Sequence, residues 1–217
     1  MLRFILSYLQ GREQQVFIGG ITSTTRSVRS GVPQGSILGP LIFVLFINDI
    51  FSCVSEDTNI ALYADETKIW RVIDCSKDHF ILQGDIYILS KWAYDNHMKF
   101  HPSKCKALAI TYQRNIHHNL PFTIFNYKLN SADIDYVSPQ VDLGVTVTSK
   151  LIWTEHHNIL LAKATSQMAL LMRTCHFPKR QKIAFYLSVI NSLFEHCYIN
   201  WRPVSQNNIF KFDAIQK

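Results

Sequence analysis

Asp65 and Glu66 are the residues of this chain whose types and spacing best suit chemistry. They are adjacent carboxylates at the centre of Asn59-Ile60-Ala61-Leu62-Tyr63-Ala64-Asp65-Glu66-Thr67-Lys68-Ile69-Trp70, between two β-prone runs. Short hairpin loops favour Asn-Gly or Asp-Gly because the backbone needs positive φ there, and this turn has neither pair. Two like charges side by side repel by about 1 kcal/mol even at the dielectric of water, a cost that a bound cation removes. Mg²⁺ prefers carboxylate oxygens, keeps several waters, and is commonly held by one or two acidic side chains together with substrate phosphates. The residues alone allow two readings, a hard-cation site or a solvated acidic turn.

A second stretch with chemical potential is Ser30-Gly31-Val32-Pro33-Gln34-Gly35-Ser36-Ile37-Leu38-Gly39-Pro40-Leu41. Glycines ahead of a helix let a ligand approach the backbone, and a helix N-terminus favours phosphate. Gly and Pro also mark ordinary loops. Five cysteines, Cys53, Cys75, Cys105, Cys175 and Cys197, make an odd count without C-x-x-C spacing, which argues against a disulfide framework. Cys175-His176 and His196-Cys197 lack finger-like ligand spacing and read as packed thiols and surface histidines.

The elements that must position these residues follow from hydrophobic period and punctuation. Leu2–Leu9 reads as helix closed by Gly11; Gln14–Ile18 and Thr22–Arg29 read as a hairpin about Gly19-Gly20. Leu41–Ile47 is apolar all round, the pattern of a helix buried on most faces, with Ser36 placed as N-cap and Pro40 in the first turn. Lys77–His97 carries Phe80, Ile81, Ile88, Leu89 and Trp92 at helical spacing, a face to pack on the sheet. Met98–Phe100 and Ala107–Tyr112 read as turn and strand, 114–137 as short strands, and Val141–Val147 as a strand in which Gly144 allows close backbone approach. From Thr154 as N-cap, Leu160, Ala164, Met168 and Leu171 or Met172 mark a helix, and Pro178 opens a second one running to about Asn200. The pattern is α+β, with a mixed body over 1–150 and basic helices over 151–217.

Of 217 residues 47% are hydrophobic, ample for a core, and the net charge is +6. The charge is uneven: residues 151–217 hold eight Lys and Arg against three acids, as a segment touching a polyanion would, although a solvated basic face gives the same count. Met1–Leu9 lacks a cleavage signal and Leu41–Ile47 is too short for a bilayer, which needs about 20 residues. The expectation is a soluble intracellular protein, cytoplasmic, nuclear or both.

The order of these segments resembles the reverse transcriptase domain of non-LTR retrotransposons, especially the jockey-like and related lineages. Ser30–Pro40 is similar to the family's nucleotide-contacting loop and helix, Asn48-Asp49 to the end of that helix, and Leu62-Tyr63-Ala64-Asp65-Glu66-Thr67 to its Tyr-Ala-Asp-Asp box. Lys99–Cys105 resembles the lysine-bearing turn, Leu143-Gly144-Val145 the primer-contacting strand pair, and Trp153–Arg173 the start of the thumb. The resemblance covers nearly the whole chain. It implies a polymerase palm, an antiparallel sheet with packed helices, over 1–150 and a partial helical thumb over 151–217.

The implied roles follow residue by residue. Asp65 ligates catalytic Mg²⁺, or Mn²⁺ in its place, with Glu66 in the neighbouring acidic position. Pro33, Gln34 and Gly35 line the incoming deoxynucleoside triphosphate, and Tyr63 lies under the primer end. Lys104 sits near the departing pyrophosphate as a proton donor, and Leu143 and Gly144 hold the primer. Lys163, Arg173, Lys179, Arg180 and Lys182 face the RNA template and DNA primer, binding phosphate without reading sequence. The implied reaction is two-metal nucleotidyl transfer, with Asp49 as a capping or solvated residue.

This chain departs from the pattern. The family's other metal-binding aspartate lies on a strand upstream of the Gln14 hairpin, and Glu13 is the lone acid among the first 30 residues. The Asp-Asp pair has become Asp65-Glu66; the added methylene moves a carboxylate by about 1.5 Å, and a misplacement of about 1 Å can cost 10²-fold in rate. The expectation is a palm and partial-thumb fragment of an RNA-directed DNA polymerase, inactive alone. The alternatives are a decayed or domesticated fragment that only binds nucleic acid, and a metal-dependent hydrolase, for which no activating base is in sight.

Overall fold

The computed structural model describes residues 2–111, 125–174 and 176–216. Cys175 and residues 112–124 lie outside the described residues, and with them the end of the strand expected over 107–112 and much of the short-strand region expected over 114–137. The chain forms two compact units, Met1–Phe100 with Lys128–Ser131, and His101–Tyr127 with Ala132–Lys217.

In the first unit α1 (Leu2–Leu9) ends ahead of Gly11, which turns the chain at φ +67°. Four short strands follow, β1 (Glu13–Gln14), β2 (Phe17–Ile18), β3 (Ile21–Thr22) and β4 (Arg26–Ser27). β1 pairs β4 and β2 pairs β3, both antiparallel, so the expected hairpin about Gly19-Gly20 forms with an interruption in its ladder. α2 (Leu38–Ile47) leads into a 3₁₀ turn (Asn48–Cys53) and then the hairpin β5 (Asn59–Tyr63) and β6 (Glu66–Trp70). α3 (Ser76–Asp95) packs against the 3₁₀ turn and the strand Lys128–Leu129. The core is Ile47, Ile50, Ile86, Leu89, Ala93 and Leu129.

Two expectations need correction here. α2 buries Gly39 and Ile47 while Leu41, Val44, Leu45 and Phe46 are exposed, because the 3₁₀ turn and Trp92 cover one side and no further layer among the described residues covers the rest. α3 turns a different face inward: Phe80 and Ile88 are exposed, whereas Asp85, Ile86, Leu89, Ser90 and Ala93 are buried. The inward face tolerates polar groups because each is partnered. Asp85 accepts the Ser55 backbone N–H at 2.9 Å and the Ser55 hydroxyl at 2.8 Å, and Ser90 bonds Asn130.

The second unit contains β7 (Lys106–Ala107), β9 (Ala132–Asp133), β10 (Asp135–Tyr136), β11 (Gln140–Asp142) and β12 (Val145–Val147); β8 (Lys128–Leu129) belongs to the first unit. β7 and β10 pair in parallel, locked by the Lys106–Asp135 ion pair at 2.7 Å, and β11 pairs β12 antiparallel. The expected single strand Val141–Val147 is therefore a hairpin, reversed at Leu143-Gly144. The strands among the described residues form separate two-stranded ribbons rather than one antiparallel sheet, since most are only two or three residues long.

The helices of this unit are α4 (Thr154–Arg173), α5 (Lys179–Phe185), α6 (Ser192–Glu195), α7 (Tyr198–Trp201) and α8 (Gln206–Gln216). Thr154 is the first helical residue of α4 rather than its cap, and α4 buries Leu160, Ala164 and Leu171 as its spacing predicts. α5 and α6 are joined through a π-helical turn (Tyr186–Asn191) and stop at Glu195, short of Asn200, because Cys197 takes a left-handed conformation at φ +51°. The core gathers Val145, Leu160, Ala164, Leu171, Ile190, Phe194, Trp201 and Phe212. Since β12 packs on α4, the compact units divide at residue 100, upstream of the change in composition near 150. Among the described residues no helix is long and apolar enough to cross a membrane.

Candidate functional site

The acidic pair sits at the tip of β5–β6. The register runs from Asn59 opposite Trp70 to Tyr63 opposite Glu66, which leaves Ala64 and Asp65 as a two-residue loop. Ile60, Leu62, Thr67 and Ile69 share the half-buried face, and Tyr63, Glu66, Lys68 and Trp70 the exposed one, as strand alternation requires. Tyr63 and Glu66 are thus cross-strand neighbours on the solvent face, with Asp65 beside them at the tip. Ala64 carries the reversal at φ +51°, a left-handed conformation costing a non-glycine residue about 1–2 kcal/mol.

Two carboxylates on so tight a turn are hard oxygen donors of the right number for a divalent ion that water and substrate phosphate complete. Among the described residues no cluster of three or more His, Cys, Asp or Glu could hold a metal ion.

The loop ahead of α2 belongs to the same unit. Gly31 and Gly35 adopt φ +77° and +78°, and a Cβ at either would face open space, so conformation and not crowding calls for glycine. Arg12 donates to the carbonyls of Leu9 at 2.9 Å and Gly31 at 2.5 Å, pinning the loop to the end of α1. Ser36 caps α2 from two residues ahead of it, accepting the Gly39 N–H at 3.0 Å and donating to the Pro33 carbonyl at 2.7 Å; Tyr8 bonds the same hydroxyl. A Cβ on Gly39 would meet the Pro33 carbonyl at 2.7 Å. Pro33 is half-buried, and Gln34 and Gly35 are exposed beside it. Asp49, beyond the end of α2, accepts the Trp92 indole N–H at 3.2 Å.

The remaining predicted residues lie in the second unit. Lys104 closes an exposed 3₁₀ turn (Pro102–Lys104). Leu143 and Gly144 form the β11–β12 turn at φ +46° and +86°. Leucine is a poor residue for that conformation, so this second tip is strained as well. His196 holds it: its Nε2–H donates to the Leu143 carbonyl at 2.9 Å, and a Cβ on Gly144 would lie 3.3 Å from the same nitrogen. Lys163 and Arg173 on α4 and Lys179 and Arg180 on α5 are exposed and Lys182 is half-buried; none is ion-paired among the described residues.

The structure thus brings Tyr63, Asp65 and Glu66 together, groups Pro33, Gln34 and Gly35 in one loop, and joins Leu143 to Gly144 in one turn. His196 is a surface residue, as its place beside Cys197 suggested, but sequence reasoning missed its bond to the Leu143 carbonyl and the buried pair His156 and His157. His157 Nε2–H donates to the Trp201 carbonyl at 2.7 Å, whereas His156 Nδ1 accepts the Thr146 N–H at 3.2 Å and its Nε2 has no partner among the described residues. Burial first, then His157, His196 and Lys163, pushes the His156 pKa down. Cys53, Cys75, Cys105 and Cys197 are free thiols, as their count implied.

Comparison with known proteins adds a family. The family described as reverse transcriptase (RNA-dependent DNA polymerase) matches residues 3–158. The chain is 24% identical over 218 residues to the probable RNA-directed DNA polymerase from transposon X-element of Drosophila melanogaster, covering 97% of this chain and 23% of that protein. It is 27% identical over 162 residues to the RNA-directed DNA polymerase from mobile element jockey of the same species, covering 70% and 17%. With the corresponding protein from transposon BS it shares 24% over 222 residues, covering 97% and 24%. The chain therefore spans a quarter or less of the length of these relatives. No solved structure matches it.

Proposed function

The chain belongs to the reverse transcriptase family, and from that premise we propose that it carries part of an RNA-directed DNA polymerase site, with residues 1–150 as palm and 151–217 as the beginning of a thumb. The observation that carries this reading is the β5–β6 tip, where a strained Ala64 presents Asp65 and Glu66 beside an exposed Tyr63. A divalent ion held there with the nucleotide's phosphates would lower the pKa of a primer 3′-hydroxyl and offset charge on the leaving pyrophosphate.

The chain's own residues supply binding and orientation. Gln34 and Gly35 line the incoming deoxynucleoside triphosphate, with the start of α2 favouring its phosphates. Tyr63 supports the primer end from the exposed strand face, and the Leu143-Gly144 turn holds the primer backbone. The role we assign to Lys104 is to neutralise charge developing on the leaving group and to donate a proton to it. Lys163, Arg173, Lys179, Arg180 and Lys182 bind phosphates of an RNA–DNA duplex. Asp65 and Glu66 would hold a divalent ion together with the nucleotide's phosphates, and in the isolated chain we expect duplex binding without extension. The reaction belongs to an intracellular compartment that holds template and nucleotides.

A second reading, a nucleic-acid-binding module without catalysis, is favoured by the five cations on α4 and α5 that have no ion-pair partner among the described residues. Primer extension on an RNA template in Mg²⁺ or Mn²⁺ tests both. No extension is expected from the purified chain, and Asp65-dependent extension would overturn the claim that its site is partial. Duplex binding that persists in Asp65→Ala is expected under either reading. Binding indifferent to neutralisation of Lys179, Arg180 and Lys182 would overturn the role given to the basic helices.

A further inference from the structure

We infer that Arg71 is a positioning residue for the acidic tip, clamping both roots of the β5–β6 hairpin so that Asp65 and Glu66 are presented in one orientation. The inference rests on the reading of that tip as a cation site. Arg71 follows β6 directly, its side chain only 9% exposed. Its Nη1–H donates to the Glu56 carbonyl at 2.8 Å and to the Thr58 hydroxyl at 3.1 Å, both in the segment entering β5. Its Nε–H reaches Asp78 at 3.4 Å in the first turn of α3, and its Nη2 lies 3.7 Å from Asp57.

Each partner of the clamp is itself fixed. The Asp78 carboxylate also accepts the backbone N–H groups of Cys75 at 2.9 Å and Asp74 at 3.1 Å. Thr58 is buried, its N–H bonded to the Ser55 carbonyl at 3.1 Å, and Ser55 is tied to the buried Asp85 of α3. One planar guanidinium therefore joins the strand that leaves the hairpin, the segment that enters it and the helix that follows.

The clamp matters because β5–β6 is a two-stranded ribbon, and such a ribbon is marginal in water unless it is anchored. The tip lies about 20 Å along the strand from Arg71, at about 3.3 Å per residue, so Arg71 touches neither ion nor substrate. Over that lever a rotation of about 3° at the root displaces the carboxylates by about 1 Å, the scale at which polymerase geometry fails. Lysine at this position would keep the charge and lose the fork that reaches several partners at once.

Tb³⁺ luminescence on the full chain tests this, since Tyr63 stands beside Glu66 and sensitises an ion bound at the tip. Asp65→Asn should abolish most of the sensitised emission. Arg71→Ala should raise the half-saturating Tb³⁺ concentration several-fold, through a tip no longer held in one orientation, at a temperature where circular dichroism matches the parent. Arg71→Lys should fall between the two. Thr58→Val, which keeps volume and removes one acceptor, should weaken binding in the same direction and decides the matter if Arg71→Ala does not fold. Asp65-dependent emission left unchanged by Arg71→Ala, or by Thr58→Val in its stead, overturns the positioning role. Emission that ignores Asp65→Asn overturns the cation reading of the tip and this inference with it.

Discussion

Ala64 is where the chain gives up stability at the site, because alanine at φ +51° does what glycine does at little cost. Ala64→Gly should stabilise the chain by about 0.5–1 kcal/mol in urea unfolding; an unchanged or lowered midpoint would show that the turn is unstrained. Glu66 adds length where the resemblance implies an Asp, and it is the residue we expect to limit any chemistry at the tip. His156 makes a pH prediction. Burial holds its folded pKa below the ordinary 6.5, so the unfolded chain binds a proton first as pH falls, and stability present above about 6.5 is lost below it. The melting temperature should fall between pH 7 and 5, and His156→Gln should flatten that fall. The hairpin that carries the acid pair was legible from residue types alone. Arg71, His156 and His196 were not, since a lone cation or imidazole shows its partners only once residues 7 to 53 positions apart have been brought together.

Among the elements, helices were the most legible, with α1, α3 and α4 found close to their observed ends because their period and punctuation are local. Which side of a helix is covered is a tertiary matter. Phe80 and Ile88 suggested the inner face of α3, yet Asp85 and Ser90 occupy it because Ser55 and Asn130 satisfy them. The Val141–Val147 run concealed a turn for a related reason: Leu143 is the wrong residue for a left-handed bend, and the bend exists with the help of His196. The basic helices carry their own prediction. Replacing Lys179, Arg180 and Lys182 by Gln should reduce the slope of log affinity against log salt for an RNA–DNA duplex by about 2 to 3. A slope that does not change would place the duplex elsewhere.

At the scale of the molecule, the α+β class was legible, and so was the family, because the Gly-Pro loop, the acidic hairpin and the Leu-Gly turn stand in order along the chain. The single antiparallel sheet was not found among the described residues, whose strands pair two by two. The chain matches a quarter or less of its relatives' length, so the most direct test restores the context that those relatives supply. In the jockey polymerase, the segment matching residues 59–70 would be replaced by this chain's hairpin, and extension on an RNA template measured in Mg²⁺ and Mn²⁺. The account predicts extension reduced about 10²-fold from the parent, recovered by Glu66→Asp and abolished by Asp65→Asn. A chimaera that folds and binds duplex, yet extends equally well without Asp65 or gains nothing from Glu66→Asp, would contradict it.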